Sequence, residues 1–250
     1  MPRFFLPPEE CYDPAQPLPE KITLTKENAF HLSVSLRARI GEEVTVICAD
    51  GTELSCIIEA FSGGKKTPEV VLKPLSIAGS QSESPVFVTL FQGMPKGKKT
   101  DSILQKCTEL GVGRVVFVYT DRSVPTLAGE EKKISRYEKI TEEAAKQCGR
   151  GKMVEVEILP NLDSAIPRMK ESELSFACYE DEKEKSLKDL LKKKFSTASF
   201  FIGPEGGISQ REKELLQNSN ISTVTLGKRI LRTETASSAV LAMISYEKEL

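Results

Sequence analysis

The sequence predicts an α/β protein in two parts, a small β-rich domain followed by a larger domain on a parallel sheet. Three observations predict it. The first ~75 residues hold short β-rich runs around one strong hairpin signal. A serine-rich stretch without periodicity follows, at Ser76–Pro85. Beyond it, short apolar runs alternate with helical patterns, as in a parallel sheet covered by helices on both faces. A chain of 250 residues is long enough for one large domain or two modest ones.

In order, Ile22–Leu24 reads as a short strand and Glu27–Leu36 as a helix. Val44–Ala49 and Thr52–Phe61 form the arms of a hairpin turning at Asp50-Gly51, and Val70–Leu72 adds a strand. Together these predict a small barrel-like domain over residues 1–76, with residues 77–85 as a linker and residues 86–250 as the second domain. There the strands are Val86–Phe91, Val115–Tyr119, Val154–Leu159, Leu174–Tyr179, Ser199–Ile202 and Thr223–Leu226. The helices between them are Thr100–Leu110, Ile134–Cys148, Ser164–Lys170, Ser186–Lys194 and Gln210–Asn218, and a final one runs to Leu250. In the first, Ile103, Leu104, Cys107 and Leu110 share one stripe before a capping Gly111. Ser209 with Glu212 is a capping box.

Composition excludes several classes of function. Apolar residues at 39% and charged residues at 28% are the balance of a soluble globular chain. A net charge of −1 excludes a surface that grips nucleic acid everywhere, though not a local basic face. Apolar runs fall well short of a membrane span, and the Met-Pro-Arg-Phe-Phe-Leu-Pro-Pro start does not read as a signal peptide. Six scattered cysteines without a CxxC, beside a single histidine, argue against a zinc site. They read as reduced, mostly buried thiols in a cytoplasmic protein. Cys48 and Cys56 fall on opposite hairpin arms but out of register for a disulfide.

Two neighbouring connections near the C-terminus carry the chemistry. Ser199–Ile202 runs into Gly203-Pro204-Glu205-Gly206-Gly207, where glycines let backbone approach a ligand. The loop lies where open α/β sheets bind ligands, yet it is neither GxGxxG nor a Walker loop. With Glu205 in its middle it suits a neutral or cationic ligand better than a nucleoside triphosphate; a plain tight turn is the alternative. The next connection, Leu226-Gly227-Lys228-Arg229-Ile230-Leu231-Arg232-Thr233-Glu234-Thr235-Ala236, sets basic residues beside one acid where a helix starts. A capped helix with solvated arginines is its bland reading.

Taken together, these strings resemble the signature of the RsmE family, the bacterial small-subunit ribosomal RNA uracil-N3 methyltransferases of the knotted SPOUT class. The likeness extends to Lys106-Cys107-Thr108-Glu109-Leu110-Gly111-Val112 and to Glu143-Ala144-Ala145-Lys146-Gln147-Cys148-Gly149-Arg150. The Pro-Arg-Phe-Phe start is similar to that of the family's PUA-like RNA-binding barrel. His31-Leu32-Ser33-Val34-Ser35-Leu36-Arg37 departs from the family's string, with Val34 where an arginine is usual and Arg39 as a possible stand-in. His31 reads as a structural helix residue.

The resemblance implies a SPOUT-type parallel sheet with a C-terminal trefoil knot, a homodimer, and S-adenosylmethionine bound between the knot loops. The cofactor residues implied are Tyr179, Ile202, Gly203, Pro204, Glu205, Gly206, Gly207, Leu226, Gly227, Ile230 and Leu231. A valine at Gly203 is expected to fill that pocket. Uracil N3 must lose an imide proton before or during its attack on the methyl group, so Arg229 and Arg232 are candidates to steady the developing charge. Glu234 is the candidate base, or the residue that orients an arginine. RNA contacts are expected from Arg3, Arg37, Arg39, Lys96, Lys98, Lys99, Lys106 and Arg150. Between Gln92 and Lys152 the chain carries 13 basic and 8 acidic residues, so one basic face on an acidic body is expected. The partner is then small-subunit ribosomal RNA or the assembled subunit, without membrane or metal. The alternatives are a non-catalytic RNA-binding assembly factor, a SPOUT methyltransferase acting on another RNA nucleotide, and a nucleotide enzyme on an ordinary doubly wound sheet.

Overall fold

Neighbouring residues along the strands of the second half send their side chains to opposite faces of one sheet, and that alternation organises the computed structural model. It describes residues 1–12, 16–64, 67–123 and 129–249, which divide into two units, Met1–Glu83 with Ala145–Met153, and Ser84–Ala144 with Val154–Leu250.

The first unit is a five-stranded sheet of β1 (Arg3–Phe5), β2 (Ile22–Leu24), β3 (Glu43–Ile47), β4 (Thr52–Gly64) and β5 (Thr67–Gly79), in the order β1-β3-β4-β5-β2. The hairpin turns where predicted. Gly51 has φ +88°, a left-handed conformation that favours glycine, and Asp50 accepts the Thr52 N–H at 2.9 Å. Val44, Val46, Leu54, Ile58, Val70 and Leu72 alternate inward with Phe4, Leu24 and Leu32 to form its core. α1 (Lys26–Phe30) continues as a π-helical turn, His31–Ser35, and His31 meets the Phe4 ring edge-on. Cys56 pairs with Val44, none of the six cysteines is in a disulfide, and burial pushes the thiols of Cys48 and Cys56 up to about 11.

Two features of this unit go beyond the sequence pattern. β1 is absent from the sequence reading; three residues long, it gains its hydrogen bonds only by lying parallel to β3. The boundary between the units, Glu83/Ser84, falls within the 77–85 stretch expected as a linker, but its first residues are paired. Ile77, Ala78 and Gly79 pair with Leu54, Glu53 and Thr52 at the end of β5. Glu83 accepts hydrogen bonds from the Arg150 guanidinium and from the Gly151 and Lys152 N–H groups. Serine-rich polarity marked this stretch as loose, while distant partners hold it.

The second unit is a six-stranded parallel sheet of β6 (Phe87–Gly93), β7 (Arg114–Val118), β8 (Glu155–Leu159), β9 (Leu174–Cys178), β10 (Thr197–Ile202) and β11 (Ser222–Val224), in the order β11-β9-β10-β6-β7-β8. Its helices are α2 (Lys99–Glu109), α3 (Glu130–Cys148), α4 (Leu162–Met169), α5 (Leu187–Leu191), α6 (Gln210–Asn218) and α7 (Thr233–Lys248). Leu90, Phe117, Phe176 and Phe200 bury one face against α2, α5 and α7, while Phe91, Val116, Ala177 and Phe201 bury the other against α4 and α6. Leu250, the predicted end of the last helix, lies outside the described residues. Among the described residues, no helix is long and apolar enough to cross a membrane.

The strand order positions the site. β10 inserts between β9 and β6, so the connections leaving β9, β10 and β11 gather at one end of the sheet, on one side of β6.

Candidate active site

At the carboxyl ends of β9, β10 and β11 lies a cleft of about 450 Å³, lined by residues 178–180, 202–207 and 225–233 together with Lys99 and Ala236. The structure therefore brings Tyr179, Ile202, Gly203, Pro204, Glu205, Gly206, Gly207, Leu226, Gly227, Ile230, Leu231, Arg229 and Arg232 around one space. Ile230 only edges it: its side chain is 84% exposed. Glu234 is not on the wall; it sits behind it in the first turn of α7, beside Lys99.

A buried polar network that no sequence pattern announced holds the cleft's two main walls. Gln92, at the end of β6, is fully buried. Its Nε2 donates to Thr233 Oγ1 at 2.8 Å and to the Gly93 carbonyl at 3.0 Å. Thr233 Oγ1 in turn donates to the Gly203 carbonyl at 2.8 Å, and Ser237 Oγ donates to Gln92 Oε1 at 2.6 Å. Three chain segments thus meet in one set of satisfied bonds, in a setting where an unpaired polar atom would cost about 1–3 kcal/mol. Gly93 permits the contact: a Cβ there would stand 2.5 Å from Pro204 Cδ.

The β10–α6 connection is fixed from outside too. Arg122 Nη1 donates to the Gly206 carbonyl at 2.7 Å. Glu212, fully buried, accepts the N–H groups of Asp121 and Ser209, and its box with Ser209 starts α6 as the sequence predicts. Arg211 and Ser209 hold the Asp121 carboxyl below its ordinary range. Gly207, at φ +72°, leaves room for the Glu180 carboxylate, which a Cβ would strike. A Cβ on Gly203 would meet Ile208 Cγ1 at 3.1 Å and the Gly207 carbonyl carbon at 3.2 Å. A valine at Gly203 therefore presses on its own loop first, a correction to the expectation that it would simply fill the pocket.

Charge at the cleft is arranged differently from the sequence reading. Lys99 Nζ lies 3.0 Å from Glu205 Oε1 and 3.5 Å from Glu234 Oε2, and the Lys96 N–H donates to Glu205 at 3.1 Å. Burial opposes the Glu205 charge; its own N–H, the Lys99 ammonium and the Lys96 N–H outweigh that and keep its carboxyl below the ordinary range. The Glu205 carboxylate in turn raises the Lys99 ammonium. Tyr179, directly after β9, donates its hydroxyl to Asp181 at 3.1 Å, with Lys213 Nζ 4.9 Å from its ring centroid.

The residues expected to touch RNA divide. Lys96, Lys98 and Lys106 in the second unit and Arg37 and Arg39 in the first are exposed. Arg150 is buried and gives its guanidinium to Glu83 at 2.6 Å, and Arg3 pairs with Glu53 at 2.5 Å. Both side chains are spent on structure, a correction that follows from carboxylates distant in sequence. Lys99 is likewise engaged rather than free. Arg114 and Arg136 pair with Glu155 and Asp101, which thins the basic face counted from the sequence.

Residues 82–245 match the family model of the RNA methyltransferase domain, about two thirds of the chain. The chain belongs to the RNA methyltransferase family. This methyltransferase chain is 32% identical over 236 residues to the Ribosomal RNA small subunit methyltransferase E of Bacillus subtilis, with 91% of each covered. Its α/β fold matches a crystal structure of the Neisseria gonorrhoeae Ribosomal RNA small subunit methyltransferase E bound to S-adenosyl methionine. The TM-score there is 0.83 at 29% identity, over 98% of this chain and 97% of the other. A Legionella pneumophila protein solved with the bound cofactor SAM matches with TM-score 0.82 at 28% identity, over 98% and 96%.

Proposed function

We propose that the chain is an S-adenosylmethionine-dependent methyltransferase of small-subunit ribosomal RNA that acts on N3 of a uridine. The observation that carries the reading is the single cleft shared by the 202–207 and 225–233 connections, within a family of RNA methyltransferases. At about 450 Å³ it is within the usual range for small-molecule sites. Its walls fit the cofactor: Ile202, Leu226 and Leu231 offer apolar surface, and loop backbone lies open at the glycines. Glu180 and Glu205 suit a cation better than a chain of phosphates.

S-adenosylmethionine, when bound, supplies a methyl group on a sulfonium and leaves as a neutral thioether. The protein's own work lies with the acceptor. Uracil N3 carries a proton between two carbonyls, and Glu234, next to the cleft beside Lys99, is the candidate to accept it or to hold an arginine that assists. Arg229 and Arg232 are exposed on the cleft wall, where a guanidinium can donate to uracil O2 or O4 as negative charge develops. N3 belongs to the Watson–Crick edge, so the target base must be unpaired or extruded.

Finer features belong to the same reading. Residues 225–232 lead from β11 at the sheet edge back to Thr233, which bonds to β6 through Gln92. That return past the ends of β9 and β10 supports a trefoil knot. The five-stranded first unit supports a PUA-like RNA-binding barrel, and we assign the chain to the cytoplasm as a homodimer.

Reverse transcription across small-subunit ribosomal RNA from a deletion strain tests the function. One stop or misincorporation at a uridine disappears, and returns on complementation. An unchanged pattern removes uracil-N3 as the target.

A further inference from the structure

Lys99 reaches carboxylates on both sides of the cleft. It opens α2, and its ammonium reaches Glu205 in the connection after β10 and Glu234 at the start of α7. The three side chains are 34%, 26% and 16% exposed, so the cluster is shielded enough for its charges to act on one another. Glu234 Oε2 is buried without a hydrogen-bond partner, although the Lys99 ammonium lies 3.5 Å away. An acceptor in that state is costly unless something else uses it.

From these contacts we propose that Lys99 is a positioning residue of methyl transfer: it holds the Glu205 and Glu234 carboxylates together and fixes Glu234 for its part at the uracil edge. The inference rests on the methyltransferase reading above. Without the ammonium, two carboxylates are left to repel each other, and Glu234 loses its ion-pair contact. The connection around Glu205 keeps its other anchors, the Lys96 N–H and the Arg122 bond to Gly206. The loss thus falls on alignment at the reacting atoms, where an error of about 1 Å costs about 10²-fold.

Steady-state kinetics of the full chain with S-adenosylmethionine and small ribosomal subunits test this in wild type, Lys99→Met, Lys99→Gln and Lys99→Arg. Both neutral variants are expected to lose about 10²-fold in kcat, with KM for the subunit and the salt dependence of binding unchanged. Lys99→Arg recovers most of the rate, since it keeps the charge between the two acids. Melting curves show which neutral variant is folded and is to be read. A preserved kcat, with a raised KM and a slope of log affinity on log salt smaller by about one, makes Lys99 an ordinary phosphate contact and overturns the proposal. Neutral variants indistinguishable from wild type overturn it as well. A wild-type chain with no transfer at all removes the methyltransferase reading itself, whereas an active wild type with indifferent variants removes only the role of Lys99.

Discussion

The two connections that share the cleft are built in opposite ways. The one after β10 is tied down from within and without: Gly203 by Thr233, Gly206 by Arg122, Glu205 by Lys96 and Lys99, and the start of α6 by Glu212. The one after β11 is largely solvent-facing, with Lys228, Arg229, Ile230 and Arg232 exposed and Gly227 at φ +116°. The difference teaches a division of labour. On the proposed function, the wall preorganised by buried bonds serves the small molecule, and the exposed charges of the other wall, which shares the same cleft, stay in water until the RNA arrives.

Substitutions on the two sides break or sharpen that contrast. Arg232→Ala has the largest expected effect, a loss of about 10²–10³-fold in turnover with cofactor affinity within severalfold, measured by single-turnover methyl transfer and calorimetry. Equal losses in both quantities would place Arg232 on the cofactor side. Gln92→Ala follows: it leaves Thr233 and Ser237 short of a partner and opens a small void, at about 2–4 kcal/mol in denaturant unfolding. Gly93→Ala drives a Cβ into Pro204 and is expected to cost about 1–3 kcal/mol, with weaker cofactor binding. Smallest of all, Ile230→Ser changes stability by less than about 0.5 kcal/mol, because the side chain is already in water.

Much of the second unit was legible because its signals are local. The alternation of Leu90 with Phe91 and of Phe200 with Phe201 is written in neighbouring residues, as are the capping box at Ser209 and both glycine-bearing connections. What escaped depends on residues far apart in sequence. Gln92 acquires its role from a threonine 141 positions away, and Arg150 loses its availability to a carboxylate 67 positions away. Counting charges overstated the basic face for the same reason: a lysine reads as free until its carboxylate is found. The insertion of β10 between β9 and β6 is likewise a matter of pairing, to which the strands' own residues, apolar on both faces, are indifferent.

Calorimetric titration of S-adenosylmethionine into wild type, Gly207→Val and Gly227→Val tests most directly whether both connections form one cofactor site. One molecule should bind per wild-type chain, and each substitution alone should abolish binding while circular dichroism shows the fold intact. Wild-type protein that takes up none, or folded variants that bind as wild type does, would contradict a site shared by the two connections.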